Sequence, residues 1–272
     1  MQRTAFFVSD GTGITAETLG HSMLSQFGSI EFRQLTLPYV NSDEQALEAV
    51  AKINQAAADD GNPPVVFSTL VNESQRDIIK RCKGLVLDLF SVFLGPLEQE
   101  LGVRSSHKVG ESHAIRDAEA YRIRIDAVHF ALDNDDGART RHYDKADIIL
   151  IGASRTGKTP TSLYLALQFG LYAANYPLVE DDFDDLRLPE SLIPHKKRLF
   201  GLTIDPERLM AIRSERKAGS KYASARQCDM EVRALEALYN RHGIPHLNAT
   251  DLSIEEIATR ILATSGLQRR LQ

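Results

Sequence analysis

Gly152-Ala153-Ser154-Arg155-Thr156-Gly157-Lys158-Thr159 concentrates more phosphate-directed chemistry than any other stretch of the 272 residues, and it fits G-x-x-x-x-G-K-[ST] at each fixed position. Two glycines let a backbone curl until its N–H groups point inward at phosphate oxygens, and a helix starting there adds partial positive charge. Lys158 in such a loop reaches a β-phosphate and any γ-phosphate. Thr159 offers a hydroxyl to Mg²⁺. Arg155, inside the loop, is placed to stabilise charge on a transferring phosphoryl group. The chemistry these residues suit is nucleotide binding and phosphoryl transfer.

Other candidates are less specific. Asp205 ends the apolar run Leu199–Ile204, where proteins with such loops carry a carboxylate for Mg²⁺ or its waters. Standing before Pro206 and Glu207, it is equally a helix N-cap. Asp10-Gly11-Thr12-Gly13-Ile14-Thr15-Ala16 fits G-x-G-x-x-A, with Glu31 about twenty residues further on. That turn could cradle a phosphate or phosphoester with Asp10 in reach, or be a plain tight turn; Glu31 falls inside a strand rather than at its end. Arg213, Arg216, Lys217, Lys221 and Arg226 form a basic run. It is either a solvated helix face or a set of cations that closes over a phosphoryl group. His107 and His113 fall in a polar loop. The protein-kinase motifs, a G-x-S-x-G elbow and metal-ligand spacings are all missing.

The elements that must hold the octet are legible around it. Ile148-Ile149-Leu150-Ile151 is a buried strand leading in. Pro160 suits a helix's first turn, and Gly170 follows the last apolar residue of that helix. Upstream, strands over 4–9, 30–37, 65–70 and 85–90 alternate with helices over 15–26, 43–58, 74–82 and 92–101. Such alternation predicts a parallel sheet covered on both faces. Downstream of the octet come strands over 173–179, 198–204 and 246–248, with helices from Pro206, from about Asp229 to Asn240, and from Ile254, the last with Ser253 and Glu256 as a capping box. The fold class is therefore α/β: an N-terminal α/β domain over 1–102, a bridging segment over 103–146 with one long helix, and an α/β nucleotide-binding domain over 147–272.

The composition is that of a soluble globular chain, 43% apolar and 25% charged. A net charge of −5 argues against a nucleic-acid binder that relies on overall electrostatics. Cys82 and Cys228, far apart, give no disulfide framework and fit a reducing cytoplasm. The N-terminus breaks at Asp10-Gly11 before a signal-peptide core could form, and no apolar run reaches membrane-spanning length. A cytoplasmic protein without a membrane partner is expected.

Taken together, SDGTGITAETLGHSMLSQF, GASRTGKTPTSLYLALQFGLYAANYP, LFGLTIDPERLMAIRSER and KYASARQCDMEV resemble one family, the phosphoenolpyruvate synthase regulatory proteins. These are relatives of the pyruvate, phosphate dikinase regulators. The resemblance spans nearly the whole chain, and GKTPTSLYLA with AANYP is closer to the synthase branch. It implies a bifunctional serine/threonine kinase and phosphorylase. Such an enzyme uses ADP as donor to phosphorylate a threonine of phosphoenolpyruvate synthase, inactivating it. It then uses inorganic phosphate to remove that group as pyrophosphate. A homodimer and a Mg²⁺ requirement are expected with it. The family's nucleotide segment carries over onto Gly152–Thr159. The resemblance does not assign the base for the threonine; from the residues themselves Asp205 and Asp10 are the candidates, with His107 behind them. From the residues alone, a small-molecule kinase or a non-catalytic nucleotide sensor remains an alternative.

Overall fold

The computed structural model describes residues 2–106, 118–183 and 186–271. The chain divides into two compact units, Met1–Ala114 and Ile115–Gln272. Each is an α/β layer structure built on its own parallel sheet of four strands.

In the first unit the elements run β1 Gln2–Val8, α1 Ile14–Leu24, β2 Glu31–Leu37, α2 Asp43–Asp60, β3 Val65–Ser68, α3 Glu73–Ile79, β4 Leu85–Asp88 and α4 Leu89–Leu101. The sheet order is β2-β1-β3-β4, all parallel. Alternate residues of β1 serve opposite faces. Phe6 and Val8 pack with Ala46, Ala49, Ile53 and Ile79, whereas Ala5 and Phe7 pack with Ala16, Leu24 and Leu89. Both faces are thus covered by helices, which is why the strands read as nearly continuous apolar runs. The fourth strand stops at Asp88, two residues before the expected end at 90. The Asp88 carboxylate accepts from the Ser91 N–H at 3.1 Å and so caps α4.

The second unit continues with α5 Ala118–Asp133, β5 Ile148–Gly152, α6 Lys158–Phe169, β6 Ala173–Pro177, β7 Leu199–Thr203, α7 Pro206–Lys217, α8 Ala225–His242, β8 His246–Asn248 and α9 Ile254–Ser265. Its order, β6-β5-β7-β8, repeats the connectivity of the first. Ile149 and Ile151 face Leu235, Leu238 and Tyr239 of α8; Ile148 and Leu150 face Leu165 and Phe169 of α6 and Ile257 and Ile261 of α9. The stretch 103–146 is divided between the units. Its helix α5 lies on α6 through Ala127, Ala131 and Ala166, and Phe130 stacks on Tyr172 with ring centres 4.8 Å apart. Helix α8 begins at Ala225, four residues ahead of the expected start near Asp229, because Ser224 accepts from the Gln227 N–H and caps it there. The Ser253/Glu256 capping box forms as expected. Among the described residues, no helix is long and apolar enough to cross a membrane.

Candidate active site

In both sheets the first strand lies between the second and third, so its C-terminal end opens at the point where the chain order reverses, the usual place for a ligand in an open parallel sheet. In the second unit the loop at that point is Gly152–Thr159, between β5 and α6. Gly152 is required by close approach: a Cβ there would lie 2.6 Å from the Leu202 carbonyl oxygen and 2.9 Å from Thr156 Oγ1. Gly157 takes φ 87°, in the left-handed region that favours glycine. Arg155 takes φ 77° without being glycine, a strained conformation of the kind that collects at binding loops. The floor is fixed by Tyr239, whose hydroxyl donates to the Ile151 carbonyl at 3.0 Å and reaches the Leu202 carbonyl at 3.3 Å.

The loop folds around its own lysine. Lys158 is 4% exposed and donates from Nζ to the Ala153 carbonyl at 2.8 Å; Thr156 Oγ1 donates to the same oxygen at 3.0 Å. Burial pushes the Lys158 ammonium down to about 8. The carboxylates Asp136 and Asp135 oppose that shift, while Arg213 and Arg155 add to it. A buried cation whose nearest protein partner is a neutral carbonyl suits an anionic ligand.

Thr159 points at a carboxylate that sequence reasoning did not single out. Its Oγ1 donates to Asp135 Oδ1 at 2.8 Å, and Asn175 Nδ2 donates to the same oxygen at 2.6 Å. Asn175 lies in β6, fully buried, opposite Leu150 of β5. It also accepts on Oδ1 from the Asp136 N–H at 3.0 Å and donates its own N–H to the Asn134 carbonyl at 3.2 Å. The segment Asn134–Asp136 is thereby clamped against the loop. The available signal was Asn175 itself, an amide among apolar neighbours in AANYP.

Of the basic run, only Arg213 is buried, at 1% exposed. It donates to Glu231 at 2.7 Å, to the Ser154 carbonyl at 3.2 Å and to the Tyr222 carbonyl at 3.0 Å, with the Tyr222 ring 4.2 Å beneath its guanidinium. Tyr222 in turn donates to Ser154 Oγ at 3.0 Å. These contacts tie α7 and α8 to the wall of the loop. Beside Ser154 they line a recess of about 460 Å³ that also takes in Glu180, Lys217 and Lys221. Arg216 and Arg226 are exposed.

Asp205 is the N-cap of α7: its carboxylate accepts from the Glu207 N–H at 2.9 Å, and its own N–H donates to Thr250. It lines a separate recess with Pro206, Glu207, Met210, Ala225 and Asp229. Asp10 belongs to the first unit, where it is buried and accepts from the Val71 N–H at 2.9 Å, joining the loops after β1 and β3. Desolvation pushes its carboxyl upward, against the hydrogen bonds from Val71 and the Asp10 and Gly11 backbone. His107 and His113 lie outside the described residues.

The class that fold and site define is an α/β protein with a glycine-bearing loop and a buried loop lysine at the switch point of its second sheet. A model of the kinase/pyrophosphorylase family matches residues 5–262, and the chain belongs to that family. Curated relatives extend end to end. One from Alcanivorax borkumensis is 77% identical over all 272 residues and all of its own length. Those from Marinobacter nauticus (58%, 99% of each chain) and Hahella chejuensis (57%, 100% of each) are also alike. All three bear the name "Putative phosphoenolpyruvate synthase regulatory protein".

Proposed function

We propose that the chain is a bifunctional regulator of phosphoenolpyruvate synthase. It phosphorylates a threonine of that enzyme with ADP and removes the group with inorganic phosphate. The observation that carries this is the loop 152–159, in which a buried lysine faces no anion at bonding distance among the described residues and a threonine hydroxyl is held on a carboxylate. The family match and the relatives' names support the same activity and partner.

In the forward direction the ADP diphosphate lies in the loop, with its terminal β-phosphoryl beside Lys158. The target threonine Oγ attacks the β-phosphorus in line. The bond to the α–β bridging oxygen breaks, AMP leaves, and the hydroxyl proton passes to a base. In the reverse direction an oxygen of inorganic phosphate attacks the phosphothreonine phosphorus. The P–Oγ bond breaks, pyrophosphate leaves and the threonine oxygen regains a proton. Little covalent work falls to the protein; positioning and charge stabilisation dominate. Lys158 and Arg155 supply the positive charge and the loop N–H groups the remaining donors. Mg²⁺, when bound, neutralises diphosphate charge. The Thr159 hydroxyl and a carboxylate, Asp205 or Asp135, are the oxygen donors that fit it. The chain is expected to act as a homodimer in the cytoplasm.

Purified phosphoenolpyruvate synthase incubated with this protein and ADP should gain one phosphoryl mass on a threonine and lose activity. Adding inorganic phosphate should restore both and release pyrophosphate. Loss of synthase activity without added mass would point instead to inhibition by occupancy, and phosphorylation of a metabolite to a small-molecule kinase.

A further inference from the structure

We infer that Asp135, together with Thr159, forms the divalent-cation site of the loop, in the role that strand-end Asp205 would otherwise take; this rests on residues 152–159 being a diphosphate cradle. In loops of this kind the Ser/Thr hydroxyl and one carboxylate hold Mg²⁺. The carboxylate that touches Thr159 is Asp135, at 2.8 Å. Asp205 is committed to the first turn of α7 and lines a recess that includes none of residues 152–159.

The support around Asp135 is costly to build. Burying an amide within an apolar strand is unfavourable unless it is fully bonded. Asn175 directs its side-chain NH₂, its side-chain oxygen and its backbone N–H to residues 134–136. Those bonds accompany a left-handed Asp136, φ 46°, a conformation that aspartate tolerates better than most non-glycine residues. Both side-chain donors to Asp135 reach Oδ1, and among the described residues no ion pair engages its carboxylate. Oδ2 thus accepts from no side chain among the described residues and is open to a cation. Magnesium asks for few protein oxygens, because nucleotide phosphates and water complete its octahedron. One hydroxyl and one carboxylate suffice, consistent with the described residues gathering no group of three or more His, Cys, Asp or Glu side chains.

The test is ADP binding by calorimetry, with and without Mg²⁺, to the wild-type protein and to Asp135→Asn, which keeps the acceptor for Thr159. Wild type should bind ADP more tightly with Mg²⁺. In the variant that gain should fall by about ten-fold or more, while metal-free ADP affinity should not fall, because the lost carboxylate repels the diphosphate. An equal magnesium gain in both proteins, or a gain lost in Asp205→Asn and kept in Asp135→Asn, overturns the inference. No ADP binding by wild type under either condition overturns the cradle as well. Should Asp135→Asn fail to fold, Mn²⁺–ADP added to wild type gives the answer by NMR. The Asn175 side-chain amide and Asp136 N–H should broaden before the Glu207 N–H, and the reverse order overturns the site.

Discussion

Lys158 is held at a cost. Its ammonium is nearly sealed from water and rests on a carbonyl. With its folded value at about 8, below the ordinary 10.5, the unfolded chain holds more protons than the folded one between those two values. Stability from this group therefore rises with pH across that window and is lowest below it. Lys158→Met should stabilise the free protein at pH 7 by about 1–3 kcal/mol, seen as a higher melting temperature. The Ala153 carbonyl keeps Thr156 as a donor, so the substitution leaves no orphaned acceptor. The advantage should shrink as pH approaches 10.5. A second consequence concerns the ligand. A diphosphate beside Lys158 favours its charged form, so ADP binding near pH 8–9 should take up protons. Calorimetry in buffers of different ionisation enthalpy measures that uptake, and it should vanish in Lys158→Met.

At the scale of elements, the loop depends on how β5 and β7 lie together. Gly152→Ala drives a methyl group into the Leu202 carbonyl, a backbone atom that cannot swing aside, and should cost about 1–3 kcal/mol of stability. Denaturant unfolding would show it. Asp205 admits a cleaner separation. Asp205→Ala removes a cap and should cost about 1 kcal/mol, whereas Asp205→Asn keeps the cap and should be nearly neutral in stability. A phosphotransfer defect in Asp205→Asn would then report charge rather than folding. Most of this layer was legible in the sequence. Ile148–Ile151 is apolar on both faces because helices cover both, and Gly152, Pro160 and Gly170 punctuate the strand, loop and helix as their backbone needs dictate. What was not legible is the clamp on Asp135. Its partner Thr159 is 24 positions away, and no spacing rule connects a turn ahead of β5 to a helix after it. Only the three-dimensional placement of Asn175 joins them. Arg213 was hidden for a similar reason. Within a basic run it reads like its neighbours, and only the fold shows that it is buried against Glu231 and Ser154 while Arg216 faces solvent.

At the scale of the whole molecule, the two units repeat one connectivity, each with a glycine-bearing turn at the reversal of strand order. Their turns differ in content. Gly11-Thr12-Gly13 is joined to the β3 loop by a buried carboxylate, whereas Gly152–Thr159 encloses a buried ammonium. That difference is why the proposed phosphoryl transfer is centred on the second unit. If the homodimer forms, sedimentation should give twice the 30.3 kDa of one chain, and a single-chain mass would remove that part of the proposal. The most direct test of the central claim is transfer of label from [β-³²P]ADP to phosphoenolpyruvate synthase. Wild-type protein should place the label on a synthase threonine, and folded Lys158→Ala should place none. Undiminished labelling by Lys158→Ala would contradict the assignment of residues 152–159 as the site of transfer.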